Sequence, residues 1–342
     1  MTLPMVARWL ALAAVTCCLL PMWAVAQGLD AATGPLNAAD ARAWLQRVQS
    51  AARGGNFQGT LVYSAGGQLS SSRVWHFVVG EQTYELMEAQ DGRQQRIARH
   101  NDNVLTLWPQ SKTAVSEKRE TVAGWSSTPQ ALDPQALEQY DLRREANARV
   151  AGRDAAVLFL EPRDALRYAQ RLWADLASGL MLRADVLGDT VQGVRALMES
   201  TAFSQVEVGV RPQPELVLQL MRRQDGVQVL RPQQKRTTLD AEGWALARPV
   251  PGFKLSGCVV RGMETAGDGE PVMQAVFSDG LTHVSVFVEP YKTQRHRAEV
   301  QAQQGATATL MQRRGEHWVT AVGDVPPATL KQFVAALERR RQ

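Results

Sequence analysis

Hydrophobic and polar residues recur along the first part of the chain with a helical period. Between Asn37 and Arg53 the apolar residues return every three or four positions, which predicts one amphipathic helix. Asn37 is a suitable N-cap, and the glycine pair Gly54-Gly55 favours the end of the helix at that point. We expect this helix to pack its apolar side against a sheet.

The sheet is predicted directly after the helix, over residues 56–117. Apolar and polar positions alternate there, and turn-forming pairs such as Gly66-Gly67 and Asp91-Gly92 interrupt the alternation at hairpin spacing. An antiparallel meander follows from this pattern.

Two later segments are harder to assign from the pattern alone. Asp133-Pro134 is typical of a helix start, which predicts a second helix from there to about Arg144. Residues 163–189 are rich in alanine, leucine and arginine, which favours helix by composition. The break at Gly179 and the alternation from Met181 to Leu187 favour strands instead. We predict two strands around a turn from Asp175 to Gly179.

The chain divides into two domains at a change of composition. Residues 211–243 are rich in proline, glutamine and charged residues, which is typical of a connector, with one short helix or strand at Glu215 to Met221. Short alternating runs follow and predict a smaller α+β domain over residues 244–342, which ends in a helix starting at Pro326-Pro327. The larger N-terminal domain then covers residues 37–210.

Residues 1–26 have the pattern of a cleavable secretory signal. A basic residue, Arg8, precedes an apolar run, and Ala24-Val25-Ala26 supplies small residues at the cleavage positions. The apolar run is too short for a good transmembrane span. We expect an exported mature chain that starts near Gln27.

Export changes the cysteine count and leaves the charge nearly balanced. Loss of Arg8 from 38 basic residues leaves 37 against 34 acidic ones, and Cys258 becomes the one remaining cysteine. An intrachain disulfide is then excluded, while roughly 300 residues suffice for two ordinary cores. The arginines are scattered, so nucleic-acid binding is not predicted. Contact with acidic lipid headgroups or an acidic partner stays open.

Ser278, Asp279 and His283 raise the question of a catalytic triad. Asp279-Gly280 between two alternating runs is a strong hairpin signal. With a two-residue turn, Ser278 would face Leu281, and its Cβ would lie roughly 7 Å from that of His283. A serine nucleophile needs its base at about 3 Å. We therefore favour a hairpin over a triad.

Other reactive residues give weaker signals. The histidines show no metal-ligand spacing, the carboxylates are dispersed and the chain has no phosphate-binding glycine loop, so no metal, cofactor or catalytic residue is predicted. His76 is interpreted as a histidine on a strand face. Cys258 is interpreted as a buried strand thiol rather than a nucleophile. A hydrolase that uses Ser278 or Cys258 remains an alternative.

Large apolar side chains are abundant on both faces of the predicted strands. Such a sheet must be covered twice or must curl around something, and a helix-covered core and a ligand cavity are both open. In the hairpin around Asp279-Gly280, the valines of the second strand share one face, and Leu281, His283, Ser285 and Phe287 share the other. That second face could contact another domain, a partner or a second copy of the chain.

Several longer motifs occur in order along the chain: NFQGTLVYSAGGQL followed by RVWH, RVAGRDAAVLFLEPRDALRYAQRLWADLASGLMLRADVL, WALARPVPGF, FSDGLTHVSVFVEP and VTAVGDVPPATLKQFVAAL. In these motifs the chain resembles the MucB/RseB family of periplasmic regulators of the extracytoplasmic stress sigma factor. The resemblance covers nearly the whole mature length.

The resemblance implies an α+β fold. The large N-terminal domain is expected to be an unclosed antiparallel β-barrel wrapped around helices, similar to the lipoprotein carriers LolA and LolB, with strand rather than helix at residues 167–174. The smaller C-terminal domain is expected to be an antiparallel sheet with a closing helix. The implied function is to bind the periplasmic part of a membrane-bound anti-sigma factor and protect it from regulated proteolysis, with release by lipid or lipopolysaccharide.

On this interpretation the protein is a binding protein and not an enzyme. We predict lipid contact for strand-borne apolar residues of the N-terminal domain: Tyr63, Trp75, Phe77, Leu105, Leu107 and Trp173. We predict partner contact in the C-terminal domain for Phe253, Leu281, His283 and Phe287. A periplasmic lipid or lipoprotein carrier of LolA type is the main alternative, and a homo-oligomer stays open.

Overall fold

The computed structural model describes residues 33–118, 136–223, 225–262 and 271–340. The predicted leader and the Asp133-Pro134 helix start lie outside these ranges. The described residues form a larger sheet, a smaller sheet and a short two-stranded ribbon, with helices packed on both main sheets. This confirms the predicted coarse architecture of a large N-terminal and a smaller C-terminal sheet.

The first part of the chain forms the larger sheet and three helices. In chain order these elements are β1 (Gly34–Pro35), α1 (Ala38–Gly54), β2 (Phe57–Ala65), β3 (Gln68–Val79), β4 (Gln82–Ala89), β5 (Arg96–His100), β6 (Asn103–Trp108), β7 (Thr113–Lys118), α2 (Ala136–Gln139), β8 (Tyr140–Val150), β9 (Arg153–Pro162), β10 (Ala169–Asp175), β11 (Met181–Val191), β12 (Val194–Val208), α3 (Pro214–Arg222) and β13 (Gln228–Leu230).

The second part forms the smaller sheet, the ribbon and the last helix. Its elements are β14 (Gln234–Arg236), β15 (Trp244–Leu246), β16 (Lys254–Gly262), β17 (Pro271–Ser278), β18 (His283–Pro290), β19 (Val300–Gln304), β20 (Thr307–Arg314), β21 (His317–Gly323), α4 (Pro327–Ala336) and β22 (Leu337–Arg339). Strands β15 and β22 pair to make the ribbon.

The larger sheet runs in the order β1-β8-β9-β10-β11-β12-β2-β3-β4-β5-β6-β7-β13. Its neighbouring strands are antiparallel, apart from the parallel pair of β7 and β13. The meander predicted over residues 56–117 is confirmed, since β2 to β7 follow one another in the sheet. Among the described residues, β1 and β13 are edge strands, so the sheet is open and a barrel shape remains a prediction.

Helix α1 forms where the periodicity predicts it. The Asn37 side chain accepts hydrogen bonds of 2.9 Å from the backbone N–H groups of Ala39 and Asp40, which caps the helix start. The apolar stripe, including Leu45 and Val48, is buried against strands β8 to β11 of the larger sheet. Burial of this stripe holds the helix on the sheet.

The prediction of a helix up to Arg144 is wrong beyond Gln139. Strand β8 begins at Tyr140 and pairs with β9 along most of its length. Tyr140 and Leu142 are buried beneath α1, whereas Asp141 and Arg143 between and beyond them are exposed. This alternation places one face of a strand in the core, and the pairing with β9 overrides the helical propensity of the segment.

The alanine- and arginine-rich stretch forms a hairpin, as predicted. Strands β10 and β11 pair across a turn that contains Gly179 at a φ of +81°. Leu172 and Ala174 on β10 are buried in the same core as α1. Tertiary burial therefore decides between helix and strand here.

The connector predicted over residues 211–243 contacts both sheets. Val217 of α3 is fully buried against the larger sheet, in a cluster with Trp75, Phe77 and Leu86. Strand β13 pairs with β7 of the larger sheet, and β14 pairs with β16 of the smaller one. The described residues of this segment therefore link the two sheets through ordered elements.

The smaller sheet runs in the order β14-β16-β17-β18-β21-β20-β19. Val284, Val286 and Val288 of β18 are buried, as the alternation predicts, and they pack in one core with Leu330 and Phe333 of α4. The closing helix is thereby confirmed. No helix within the described ranges is both long and apolar enough to cross a membrane.

Candidate functional site

The two sheets meet along a surface that we call the seam, which consists of a charged contact around Arg167 and a carboxylate contact around Glu199. Arg167 lies in the loop between β9 and β10. Its Nε is 2.8 Å from Oδ2 of Asp279, and both side chains are 0% exposed. Asp279 lies in the loop between β17 and β18, so this buried ion pair joins the two sheets.

Further hydrogen bonds satisfy both members of the pair. Arg167 also donates to Asp164 Oδ2 at 2.5 Å and to the backbone oxygen of Pro251 at 3.0 Å. The hydroxyl of buried Tyr140 donates to Asp279 Oδ2 at 3.3 Å. Burial, followed by the negative charge of Asp279, raises the pKa of Tyr140 well above its ordinary value. Tyr140 therefore stays a neutral hydrogen-bond donor.

The hairpin that carries Asp279 has a longer turn than predicted. Ser278 pairs with His283, not with Leu281, so residues 279–282 form the loop and the expected two-residue turn is wrong. Asp279 Oδ1 accepts hydrogen bonds from the N–H groups of Leu281 and Thr282 at 2.9 and 2.8 Å. The aspartate orders its own loop with one oxygen and binds Arg167 and Tyr140 with the other.

Apolar contacts extend the seam on either side of the ion pair. Leu281 packs against the α1 core of the larger sheet, and Leu166 packs against the α4 core of the smaller sheet. Thr329 of α4 donates a hydrogen bond of 2.7 Å to the backbone oxygen of Leu166. Each sheet therefore places an apolar side chain in the core of the other.

The carboxylate contact lies where the end of strand β2 pairs with β12. Glu199 of β12 is 8% exposed and faces Tyr63 of β2, while Ala306 and Asp324 approach from the smaller sheet. Burial and the negative charge of Asp324 raise the pKa of Glu199 to about 7, against the opposing effect of hydrogen bonds from Tyr63 and the Ala306 N–H. Oδ1 of Asp324 accepts a hydrogen bond of 2.6 Å from Thr307.

Close backbone packing brings this contact together. Gly305 has a φ of +58°, and a Cβ at this position would lie 2.6 Å from the Cβ of Ala65. Only glycine combines this conformation with this approach. Beside it, Gln303 Nε2 donates to the hydroxyl of Tyr168 at 2.9 Å. The β19–β20 turn therefore sits directly on the larger sheet.

An open cavity of about 770 Å³ borders both contacts of the seam. The larger sheet and its loops contribute most of the wall, including Arg163, Tyr168 and Arg195, while Gln303, Pro326 and Pro327 come from the other side. Arg195 is paired with Glu161, and Arg163 with Asp141. The wall is therefore mixed in polarity and locally neutral, which suits a polypeptide segment better than a highly charged ligand.

The described residues do not arrange Ser278, His283 and Cys258 as a nucleophilic site. The Ser278 hydroxyl donates to the backbone oxygen of Thr282 at 2.9 Å and accepts from the Gly280 N–H at 3.0 Å. Cys258 is buried in β16, as predicted, and burial raises the pKa of its thiol to about 11. No group of three metal-binding side chains occurs in the described ranges.

The residues predicted to bind lipid occupy three separate places. Trp75, Phe77, Leu105 and Leu107 lie beneath α3, since Val217, Leu220 and Met221 pack on them. Trp173 is buried in another core, with Leu182 and Phe203. Tyr63 lies at the seam beside Glu199. Lipid contact by these six residues stays a prediction.

The residues predicted to bind a partner differ in their accessibility. Phe253 is 7% exposed and packs against Phe333, with the Arg167 guanidinium 5.0 Å from its ring centroid. Leu281 contributes to the seam. His283 and Phe287 are partly exposed on the face of β18 that points away from α4. Partner contact by all four residues stays a prediction.

The sequence interpretation missed Arg167 and Glu199. Arg167 and its partner Asp279 are 112 residues apart, so no local pattern connects them. Glu199 lies in a stretch of alternating residues where a carboxylate reads as solvent-facing. A weak signal existed in the sequence, because Phe203 lies four positions further along and therefore on the same face of the strand, which the structure buries.

Two protein-family models match this chain, one in each of its two parts. The family model of the MucB/RseB N-terminal domain matches residues 40–221, and that of the MucB/RseB C-terminal domain matches residues 238–338. Sigma factor AlgU regulatory protein MucB of Pseudomonas aeruginosa is 33% identical over 323 residues, which are 88% of this chain and 91% of that protein. Sigma-E factor regulatory protein RseB of Haemophilus influenzae is 23% identical over 285 residues, 83% of this chain and 87% of that protein.

Solved structures of MucB complexes are also similar to this chain along nearly its whole length. A chain in the complex structure of Pseudomonas aeruginosa MucA/MucB superposes with a TM-score of 0.66 at 28% identity, covering 89% of this chain and 100% of that one. A chain in the crystal structure of MucB in complex with MucA(peri) gives 0.64 at 27% identity, covering 90% and 100%.

Proposed function

Because the chain belongs to the MucB/RseB family, we propose that it is a periplasmic regulatory protein that binds the periplasmic part of a membrane-bound anti-sigma factor. The observation that carries this proposal is the likeness, over nearly the full length of both chains, to a chain of the MucA/MucB complex. By burying the exported segment of the anti-sigma factor, the protein protects it from regulated proteolysis and so restrains the envelope-stress sigma factor.

Partner contact is proposed on the smaller sheet and at the seam. Phe287 and His283 supply a partly apolar strand face, and the neutral cavity beside the seam can accept an extended or helical segment. The side chains of Phe253 and Leu281 pack in the two cores on either side of the seam, so partner contact by these two residues is proposed at the seam.

Binding of the anti-sigma segment to the purified mature chain tests the proposal. The wild-type chain is titrated with the purified periplasmic segment of the anti-sigma factor from the same organism, by calorimetry. We expect Phe287→Ala to weaken binding about tenfold, since an aromatic anchor contributes roughly 1–2 kcal/mol or more. Leu69→Ala is the matched control, because Leu69 is 71% exposed on the larger sheet. Absence of wild-type binding refutes the function, and equal loss in both variants refutes the surface.

Release by lipid or lipopolysaccharide is a further part of the proposal. A hundredfold loss of partner affinity requires the ligand to prefer the partner-free conformation by about 2.7 kcal/mol. The apolar face beneath α3 offers contact area, with Trp75 and Leu105 among its residues, once the helix moves. Addition of lipopolysaccharide fragments to the titration should weaken binding, and an unchanged affinity refutes release.

The same apolar face supports a second function, transport of a lipid or lipoprotein. A carrier should retain lipid through purification, whereas a regulator should bind the anti-sigma segment. Solvent extraction of the purified chain followed by mass spectrometry, together with the titration above, separates the two. Stoichiometric lipid without segment binding favours the carrier.

A further inference from the structure

We propose that Glu199 and Asp324 form a proton-operated latch across the seam. With a proton on Glu199 the two sheets stay in contact, and without it the two carboxylates repel each other and loosen the seam. The regulatory consequence of this latch rests on the proposed function, because the cavity beside the seam has walls from both sheets.

The geometry isolates Glu199 from any counterion. Its oxygen Oε2 is buried and has no hydrogen-bond partner among the described residues. The neighbours that pair with it along the sheet are Val186 on β11 and Ala65 on β2, which carry no charge. Arg195, a cation on the same strand, donates to Glu161 and to the backbone oxygen of Gly188. The Glu199 charge is therefore not neutralised within the larger sheet.

The groups that face Glu199 from other elements are also neutral or negative. Tyr63 approaches from β2, and burial raises its pKa well above the ordinary value, so it remains a neutral donor. From the smaller sheet, the β19–β20 turn brings Gly305 and the Ala306 N–H, while the loop before α4 brings Asp324. The negative charges of Asp324 and Asp189 also act on the neighbouring Tyr168. A second negative charge thus opposes Glu199 across the seam.

The direction of the pH effect follows from these contacts. In the closed seam the pKa of Glu199 is about 7, against 4.5 for an ordinary glutamate, so closure is favoured by protonation. Closure is therefore strongest below pH 4.5 and is lost as the pH rises through about 7. Between pH 6 and pH 8 the ratio of closed to open seam should fall about tenfold.

Hydrogen exchange of the full mature chain tests the latch without any partner. The readout is the protection factor of the backbone amides in residues 300–310. A protection factor divides the observed exchange rate into the rate of the unfolded chain at the same pH, so the intrinsic pH dependence of exchange cancels. In the wild type we expect protection to fall about tenfold from pH 6 to pH 8. In Glu199→Gln the side chain is neutral at both pH values, so protection should stay high.

Two control variants keep the test decisive. Glu207→Gln makes the same change at an exposed position of β12 and should behave as the wild type. Asp324→Asn removes the opposing charge but keeps an acceptor for Thr307, so the transition should move to lower pH. A fall in protection that is the same in the wild type, Glu199→Gln and Asp324→Asn would overturn the latch.

Titration with the anti-sigma segment links the latch to regulation. Affinity should fall by up to about tenfold from pH 6 to pH 8 in the wild type and stay constant in Glu199→Gln. If the segment fails to bind at every pH, the proposed function fails, while the exchange result still judges the latch. If the segment binds but both chains show the same pH dependence, the latch does not control binding.

Discussion

The buried ion pair between Arg167 and Asp279 gives the sharpest test of how the two sheets are held together. Arg167→Met keeps much of the side-chain volume but removes the charge, and it leaves Asp279 buried opposite an apolar group. Breaking one partner of a fully buried pair costs about 3–5 kcal/mol. Because Tyr140 and two backbone N–H groups still bind Asp279, we expect a loss near 3 kcal/mol.

A double-mutant cycle isolates the interaction between the two charges. The free energy of unfolding is measured by urea denaturation for the wild type, Arg167→Met, Asp279→Asn and the double variant. Each single change should be costly, but the double change should cost at least about 2 kcal/mol less than their sum, since neither position 167 nor position 279 then holds a buried charge that has lost its partner. Tryptophan fluorescence and far-UV circular dichroism should report the same transition.

A neighbouring exposed pair provides the matched control. Arg163 lies 2.9 Å from Asp141, and the two side chains are 52% and 69% exposed. The same cycle with Arg163→Met and Asp141→Asn should give a coupling of about 0.2–1 kcal/mol, because water screens the pair. Additive effects at Arg167 and Asp279, or equal coupling in both cycles, would refute the view that this pair ties the sheets together.

Three single features of the fold give further predictions. Asn37→Ala removes the helix cap and should lower the free energy of unfolding, measured by urea denaturation, by about 1 kcal/mol. Asn37→Asp keeps a capping oxygen and should not lower it, so equal losses in the two variants would contradict the capping role. Gly59→Ala should lower the free energy of unfolding by about 1–3 kcal/mol in the same assay, because the new Cβ would lie 2.3 Å from the Gln205 backbone oxygen. Gly262→Ala is the control and should have little effect, since no atom lies within 4 Å of a Cβ there. Cys258 should react with a thiol reagent at pH 8 only as fast as the chain opens, and immediate labelling of the native protein would show that the thiol is accessible.

The sequence predicts most elements whose signal is local. Helix α1 follows from an apolar period and an asparagine cap, and the strands of the meander follow from alternation between turn-forming glycines. The same local signals failed at two places. Tyr140 to Arg144 became a strand because β9 was available as a partner, and the Asp279 loop lengthened because its carboxylate bonds to Thr282.

The candidate site could be predicted only in part. The face of β18 with His283 and Phe287 follows from alternation, but the burial of Phe253 depends on α4 and Arg167, which lie far away in the chain. The apolar residues Trp75, Phe77, Leu105 and Leu107 share one face of the sheet, as their alternation suggests. Whether a ligand or a helix covers that face was decided by α3, a segment that the composition marks as a connector.

By itself, the sequence determined the meander over residues 56–117, the first and last helices and the family to which the chain belongs, because periodicity, caps and turn residues act over a few positions. The tertiary structure alone decided which charges are buried and what they meet. Arg167 with Asp279, and Glu199 with Asp324, come from distant parts of the chain. The ionisation of a carboxylate depends on its neighbours in space, so the seam and its response to pH emerge only when the two sheets are placed together.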